Sequence, residues 1–333
     1  MSGPSGPPTG VLVMAHGTPP DPGGIESFYT SIRRGRPPTP ELLAELVGRY
    51  EAIGGTSPLA ERTRAQVEGV ARVLEEVSPG KYTVRYGAKH TSPAIEEGMA
   101  ELVRSGVERV VAIVLTPHQS SLGSGQYIRR AEEAAALAPR PVTLVPVSSW
   151  HRAPGLSALL AERTRAALAS IDDRARERTA VFFTAHSLPQ RVVAEGDPYP
   201  TQVGESASDI AGLLGLDDSP GTSWAVAWQS AGRTPDPWLG PDLLAEIRRV
   251  ADEGATSVVV CPVGFVSDHL EVLYDLDIEA AGVARSAGVA FARTRSLNDD
   301  PRFLGILARV VRDAGSRVRP AATSVATGPA PTA

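Results

Sequence analysis

The chain has 333 residues and a net charge of -5, enough length for two ordinary domains with ample core and no basic surface to attract nucleic acid or an anionic membrane. Cys261 is its one cysteine, which excludes a disulfide framework, a zinc-thiolate site and a four-cysteine iron-sulfur cluster. The opening residues have neither a basic n-region nor an apolar h-region, and no run reaches the roughly 18 apolar residues of a membrane span, so a soluble cytoplasmic protein without stable membrane insertion is expected.

Residues 1–9 and 317–333 are dominated by Pro, Ala, Gly, Ser and Thr and are predicted to be disordered. Between them the apolar runs at 11–15, 82–87, 107–115, 142–147, 179–185, 224–228, 256–263 and 289–293 read as strands. Several are continuously apolar, as parallel strands covered on both faces must be. Helical spacing with start and stop residues marks 57–77, 92–106, 240–254 and 300–315. This alternation predicts a doubly wound α/β fold. The chain also echoes itself: VLVMAHGTPP (11–20) and VFFTAHSLPQ (181–190) each run a strand into Ala-His, and VVAIVLTPH (110–118) loosely matches VVVCPVGFVSDH (258–269). Two similar domains, 10–150 and 151–298, divided at the polar segment SSWHRAPGL, account for the echo most economically.

The stretch PVGFVSDHLEVLYDLDIE (262–279) runs an apolar strand into an acidic helix. On an α-helix Glu271, Asp275 and Glu279, spaced four apart, form a ladder up one face, with Asp268 and His269 at its foot. Like charges so spaced repel, so the pattern points to a visiting cation; the plainer alternative is a solvated acidic helix. Five of the six histidines, His16, His90, His118, His186 and His269, fall at or just past the carboxyl end of a predicted strand, where open α/β sheets place their ligands. His151 lies in the linker. Imidazole with carboxylate suits first-row divalent metals and also accepts protons. With no HExxH motif, any such site must be assembled from distant segments.

Three further segments are candidates for holding a ligand. Arg33, Arg34 and Arg36, followed by Arg49, Tyr50 and Ser57, offer guanidinium forks and a helix start that favour carboxylates, although basic residues also balance helix C-termini. SLGSGQYIRR (121–130) reads as a flexible approach to the cleft bearing Tyr127. AWQSAGRTPDPWLGPD (227–242) supplies Trp228 and Trp238 as a rigid aromatic wall, or else as a packed buttress.

In order along the chain, LVMAHGTP, SIRRGRPPTPELL, RYEAIGGTSPLA, TAHSLPQRV, GDPYPTQV, WQSAGRTPDPWLGPD and PVGFVSDHLEVLYDLDIE resemble the ferrochelatase family, and most closely its soluble bacterial coproporphyrin III branch. The resemblance covers nearly the whole ordered chain. It implies two Rossmann-like, class II chelatase-like domains around a central cleft, with a C-terminal helix (299–316) packing back on the first. It implies insertion of Fe(II) into a porphyrin for heme biosynthesis, with Fe2+ as substrate, no tightly bound cofactor and no iron-sulfur cluster. The expected partners are the porphyrin, Fe2+ and a downstream coproheme decarboxylase, and the protein is expected to be a monomer. By matching motifs, His186 and Glu271 are the paired metal and proton-handling residues, and Asp275 and Glu279 line a route for metal or protons. Arg33, Arg34, Arg49, Tyr50, Ser57, Tyr127 and Trp228 hold the macrocycle.

One residue departs from the pattern. Where the family members in view carry Tyr in MAYGTP, facing the porphyrin centre, this chain has His16. Imidazole is a stronger iron ligand than a neutral phenol, so His16 is expected to bind substrate or metal; it also resembles the His of the HG motif on the first strand of the small cobalt and siroheme chelatases. Four propionates on coproporphyrin III against two on protoporphyrin IX need more donors, which the arginines can supply. No long apolar lip for membrane-delivered substrate is evident. Coproporphyrin III is therefore the expected ring, with protoporphyrin IX, a cobalt or nickel tetrapyrrole chelatase, and a non-catalytic heme or metal carrier as the alternatives.

Overall fold

A computed structural model describes residues 6–232 and 234–317. It contains two all-parallel four-stranded sheets. The first comprises β1 (Thr9–Ala15), β2 (Tyr82–Ala88), β3 (Arg109–Val114) and β4 (Thr143–Val147) in the order β2-β1-β3-β4. The second comprises β5 (Thr179–His186), β6 (Thr222–Gln229), β7 (Ser257–Cys261) and β8 (Ala290–Arg293) in the order β6-β5-β7-β8. All eight predicted strands are present. The central strands β1, β3, β5 and β7 are buried almost throughout, which is why they appear in the sequence as unbroken apolar runs. The two orders coincide when four is added to each strand number, so the echoing segments occupy equivalent places: β1 matches β5, and β3 matches β7.

Around the first sheet lie α1 (Ile25–Ile32), α2 (Pro40–Ala52), α3 (Leu59–Val77), α4 (Ile95–Arg104) and α5 (Ser124–Ala136); around the second lie α6 (Leu156–Ala169), α7 (Gln190–Ala194), α8 (Tyr199–Leu214), α9 (Leu243–Asp252), a π-helix (Val272–Ala280) and α10 (Ala281–Ser286). The last helix is α11 (Pro301–Arg317). Side-chain caps fix several starts: Thr39 Oγ1 accepts the Leu42 N–H at 3.4 Å and Asp242 Oδ1 accepts that of Ala245 at 3.0 Å.

The structure changes three expectations. The flexible approach expected at 121–130 is mostly helix, because Tyr127, Ile128 and Ala131 of α5 form a buried stripe at helical spacing. The acidic ladder stands on a π-helix, not an α-helix: the Ala281 N–H reaches back five residues to the Leu276 carbonyl, the wider i→i+5 pattern that often marks functional sites. Thr9, expected to be disordered, opens β1 with its N–H on the Lys81 carbonyl at 2.9 Å, and Arg317 closes α11. The expected disorder of 1–5 and 318–333 falls outside the described residues.

The largest apolar cluster joins the two sheets. Val11 and Val111 from the first and Phe183 and Val259 from the second share it with Phe303, Leu307 and Val311 of α11. Two smaller clusters cover the outer faces, one including Leu12, Met99 and Leu102, the other Phe182, Ile247 and Val258. α11 packs on α3, β3, β4 and α6. Gly69 of α3 leaves room for the Leu304 side chain, which an added Cβ would displace. With the sheets joined through the largest cluster and α11, residues at the carboxyl ends of β1, β5 and β7 line one cleft.

Candidate active site

Two strands deliver imidazoles to the cleft at equivalent positions: β1 ends at Ala15, just before His16, and β5 ends on His186. After β7 the chain turns tightly at Gly264. Its N–H bonds the Thr184 carbonyl at 3.1 Å, and a Cβ there would lie 2.6 Å from the Ala185 Cβ. This close approach, open only to glycine, directs the chain through Ser267 to His269 and Glu271 beside β5. Glu271 Oε1 lies 3.7 Å from His186 Nε2 and its Oε2 lies 3.6 Å from His269 Nε2. Both rings face their Nδ1 to local carbonyls, those of Ser187 and, at 2.9 Å, Ser267, which leaves the Nε2 atoms for the carboxylate and the cleft.

The carboxylate is the charged centre of this set. Burial pushes Glu271 upward, but His186 and His269 outweigh it and hold the carboxyl down at about 2. Burial pushes His269 downward, yet the Glu271 contact wins and its pKa is raised. His16 behaves differently. Desolvation, with help from Lys89, brings it to about 4 against the pull of Glu271, so it is a neutral imidazole with an available lone pair at pH 7. Its side chain is open to cleft water, so this push reaches full strength only once a ligand displaces that water. The His16 ring lies 4.7 Å from that of His90 and 5.7 Å from Phe28.

The ladder is not a bare stack of like charges. Arg49 of α2 crosses from the opposite wall, with Nη1 3.4 Å from Asp275 Oδ1, Nη2 4.0 Å from Glu279, and its guanidinium 4.7 Å from the Tyr274 ring centre. Ser230 Oγ donates to Asp275 Oδ2. Burial and the neighbouring Glu271 charge still raise Asp275 to about 6, against the opposing pull of Ser230 and Arg49. Part of the cation that the spacing called for is thus an arginine from a distant helix.

The cleft has two connected parts. One of 480 Å3 is walled by Phe28, Tyr29, Ile32, Leu46 and Tyr50 with Arg49 at its side; one of 320 Å3 carries Tyr127, Lys89 and Phe265. Both have the size of small-ligand sites, and they share His16, Leu59, His186, His269 and Glu271. The ferrochelatase family profile matches residues 8–314. The chain belongs to the ferrochelatase family. It is 43% identical over 304 residues to the coproporphyrin III ferrochelatase of Anoxybacillus flavithermus, covering 91% of this chain and 95% of that one. It is likewise 43% identical over 305 residues to the coproporphyrin III ferrochelatase of Bacillus subtilis (91% and 96% covered), and 39% identical over 312 residues to the ferrochelatase of Deinococcus radiodurans (93% and 97% covered). Among solved structures, SirB from Bacillus subtilis with Fe3+ superposes with a TM-score of 0.56 at 12% identity, covering 93% of this chain and 96% of that one. At that identity the likeness concerns the fold, which is class II chelatase-like.

In this ferrochelatase-family chain the residues singled out from sequence separate into groups. Arg49, Tyr50 and Ser57 line the larger part of the cleft, and Tyr127 lines the smaller with the Lys89 ammonium 5.1 Å above its ring centre. Arg33 and Arg34 line neither part. Arg33 lies over the Tyr29 ring and donates to the Arg36 carbonyl at 3.3 Å, and Arg34 holds a left-handed φ of 58° at the end of α1. Trp228 is not a cleft residue either: it is 5% exposed and packs 5.8 Å from the Tyr199 ring. Side chains alternate along a strand, so when Gln229 of β6 lines the cleft its neighbour Trp228 must face the core. The tryptophan beside His186 is Trp238, at 6.3 Å between ring centres.

The metal candidates His16, His186, Glu271, Asp275 and Glu279 do not form a single coordination shell, and among the described residues no three His, Cys, Asp or Glu side chains are grouped to hold an ion. Sequence reasoning gave no specific role to His269, Lys89 or Ser230, all of which line the cleft or bond its carboxylates. His269 was visible at the foot of the ladder. Nothing in the sequence marked Ser230 or Lys89, whose roles depend on partners far along the chain. His118 and His151, two more of the histidines, bond Ser206 at 2.9 Å and Glu205 at 2.7 Å and tie the linker and β3 end to α8.

Proposed function

We propose that the protein inserts Fe(II) into coproporphyrin III, giving coproheme for heme biosynthesis, in the cytoplasm. The observation that carries this reading is the His186–Glu271–His269 cluster, with Glu271 held as a carboxylate, in one cleft with the neutral His16. Metallation must remove two pyrrole protons while a hydrated ion sheds its water, and a planar ring presents its nitrogens poorly to the metal. Clamping the ring between the Phe28, Tyr29 and Tyr50 wall and the opposite side would bend it, with binding supplying the strain.

On this reading His186 Nε2, as a neutral imidazole, and Glu271 take up the pyrrole protons and guide the ion. Asp275, at about 6, is then suited to pass protons onward near neutral pH, and Glu279 lies beyond it. His16 addresses the metal from the other face. Arg49, Ser57 and Lys89 inside the cleft offer anion contacts for propionates. The similarity to proteins that act on coproporphyrin III supports that ring over protoporphyrin IX.

The test is an anaerobic absorbance assay of the protein with coproporphyrin III and, separately, protoporphyrin IX, each with Fe(II), Co(II) or Zn(II). Catalytic loss of the free coproporphyrin spectrum with Fe(II) is expected. A stoichiometric shift without turnover would instead identify a carrier, and preference for Co(II) a different chelatase.

A further inference from the structure

Ser230 has no role in the reading above, yet three observations converge on it. Its φ is 57°, in the left-handed region that a residue with a Cβ adopts only at a cost. It directly follows Gln229, where β6 ends and the Gln229 carbonyl accepts the Ser187 N–H at 2.8 Å, so it is anchored next to His186. Its hydroxyl donates to Asp275, whose other oxygen accepts from Arg49 of the opposite wall. The two oxygens of one carboxylate, only 6% exposed, are therefore held from the two sides of the cleft.

We propose that Ser230 is a positioning residue for ion passage: its left-handed backbone aims a hydroxyl at Asp275 and keeps that carboxylate turned toward Arg49, beside Glu271, instead of swinging into the cleft. Ordinary turn formation would not select serine here. Glycine adopts positive φ without strain, so a position serving only the bend would favour it. The hydroxyl is what a glycine would lose, and a buried carboxylate oxygen stripped of its donor must find water, rotate or take up a proton. Arg49 would keep Glu45 and Glu279 within 4.0 Å, so the wall that contacts the macrocycle stays in place.

This inference rests on Fe(II) insertion as the activity, and its test is built to fail separately from that reading. Ser230→Ala and Ser230→Gly are compared with the parent chain for thermal midpoint, coproporphyrin III affinity by fluorescence quenching, and steady-state metallation with Fe(II) varied at saturating porphyrin. Both variants are expected to raise the KM for Fe(II) about tenfold, the loss of one charge-assisted hydrogen bond, with porphyrin affinity within about twofold of the parent. Parent-like Fe(II) KM in Ser230→Gly would overturn the proposal and leave Ser230 as a turn residue. Equal weakening of porphyrin binding in both variants would also overturn it, by showing general distortion of the cleft. Absence of turnover in the parent chain would instead remove the activity on which the proposal rests.

Discussion

Gly264→Ala places a methyl group where the turn after β7 meets β5. The new Cβ would stand 2.6 Å from the Ala185 Cβ and 2.9 Å from the Ala185 Cα, whereas carbon atoms in contact prefer about 3.5–4.0 Å. Neither neighbour is a flexible side-chain end, so backbone must move by about 1 Å. Ala185 directly precedes His186, and Gly264 leads to Glu271, so the displacement widens or skews the 3.7 Å pair. Overpacking of this kind costs about 1–3 kcal/mol, and a catalytic group misplaced by about 1 Å can cost on the order of a hundredfold in rate. Single-turnover metallation of pre-bound coproporphyrin III, followed anaerobically by absorbance, should therefore slow by about that factor while the thermal midpoint falls by only a few degrees. Gly212→Ala in α8, where an added Cβ meets nothing within 4 Å, is the control and should be neutral or mildly stabilising. A Gly264→Ala protein with a lowered midpoint and an unchanged single-turnover rate would refute the link between this turn and the reacting centre.

Three other perturbations have defined outcomes. Glu271→Gln keeps the shape but removes the charge, so metallation should drop by about a hundredfold or more with porphyrin affinity retained, as read by absorbance and fluorescence titration. Asp300→Ala removes the acceptor of the Arg163 guanidinium at 2.7 Å and of the Arg302 N–H that starts α11 at 2.9 Å, leaving a nearly buried guanidinium unpaired; urea unfolding should lose about 3–5 kcal/mol. Burial raises Asp300, but Arg302 and Arg163 outweigh it and bring it to about 2, so its contribution is present above the unfolded pKa and disappears as pH falls through about 2. Asp275 has the opposite sign. Raised to about 6 from an unfolded 3.8, it binds protons better in the native state, so stability falls as pH rises between those values. Asp275→Asn should thus melt higher than the parent at pH 8 and lose that advantage below pH 4, whereas a pH-independent difference would contradict the assignment.

The sheets were readable because VLVMA, VVAIVL, VFFTA and VVVC are strands buried on both sides, and no polar alternation obscures them. Helices were less so. α8, YPTQVGESASDIAGLL, carries Gly204 and Gly212 and a proline in its first turn, and α5 begins in a glycine-rich stretch, so both depart from the usual helix composition. The π-helix could not be distinguished from an α-helix, since a four-residue spacing of acids suits either. Within the site, His186 and Glu271 stood out because their motifs surround them with recognisable turns. Ser230, Lys89 and the Arg49 crossing did not, because each depends on a partner contributed by a distant segment. Trp228 shows the reverse error: an aromatic residue one place from a cleft residue on a strand faces the other way.

α11 has a consequence for how the protein comes to exist. Phe303, Leu304, Leu307 and Val311 fill a site made by α3, β3 and β4, elements made from the first half of the chain. While the ribosome is still making the second half, Val70, Leu74 and Val111 have no cover from that helix, and exposed apolar surface of this kind invites aggregation. The order of synthesis therefore leaves the amino-terminal sheet unfinished until residues 301–317 emerge. Newly made chains should therefore be most dependent on chaperones just before the last helix docks.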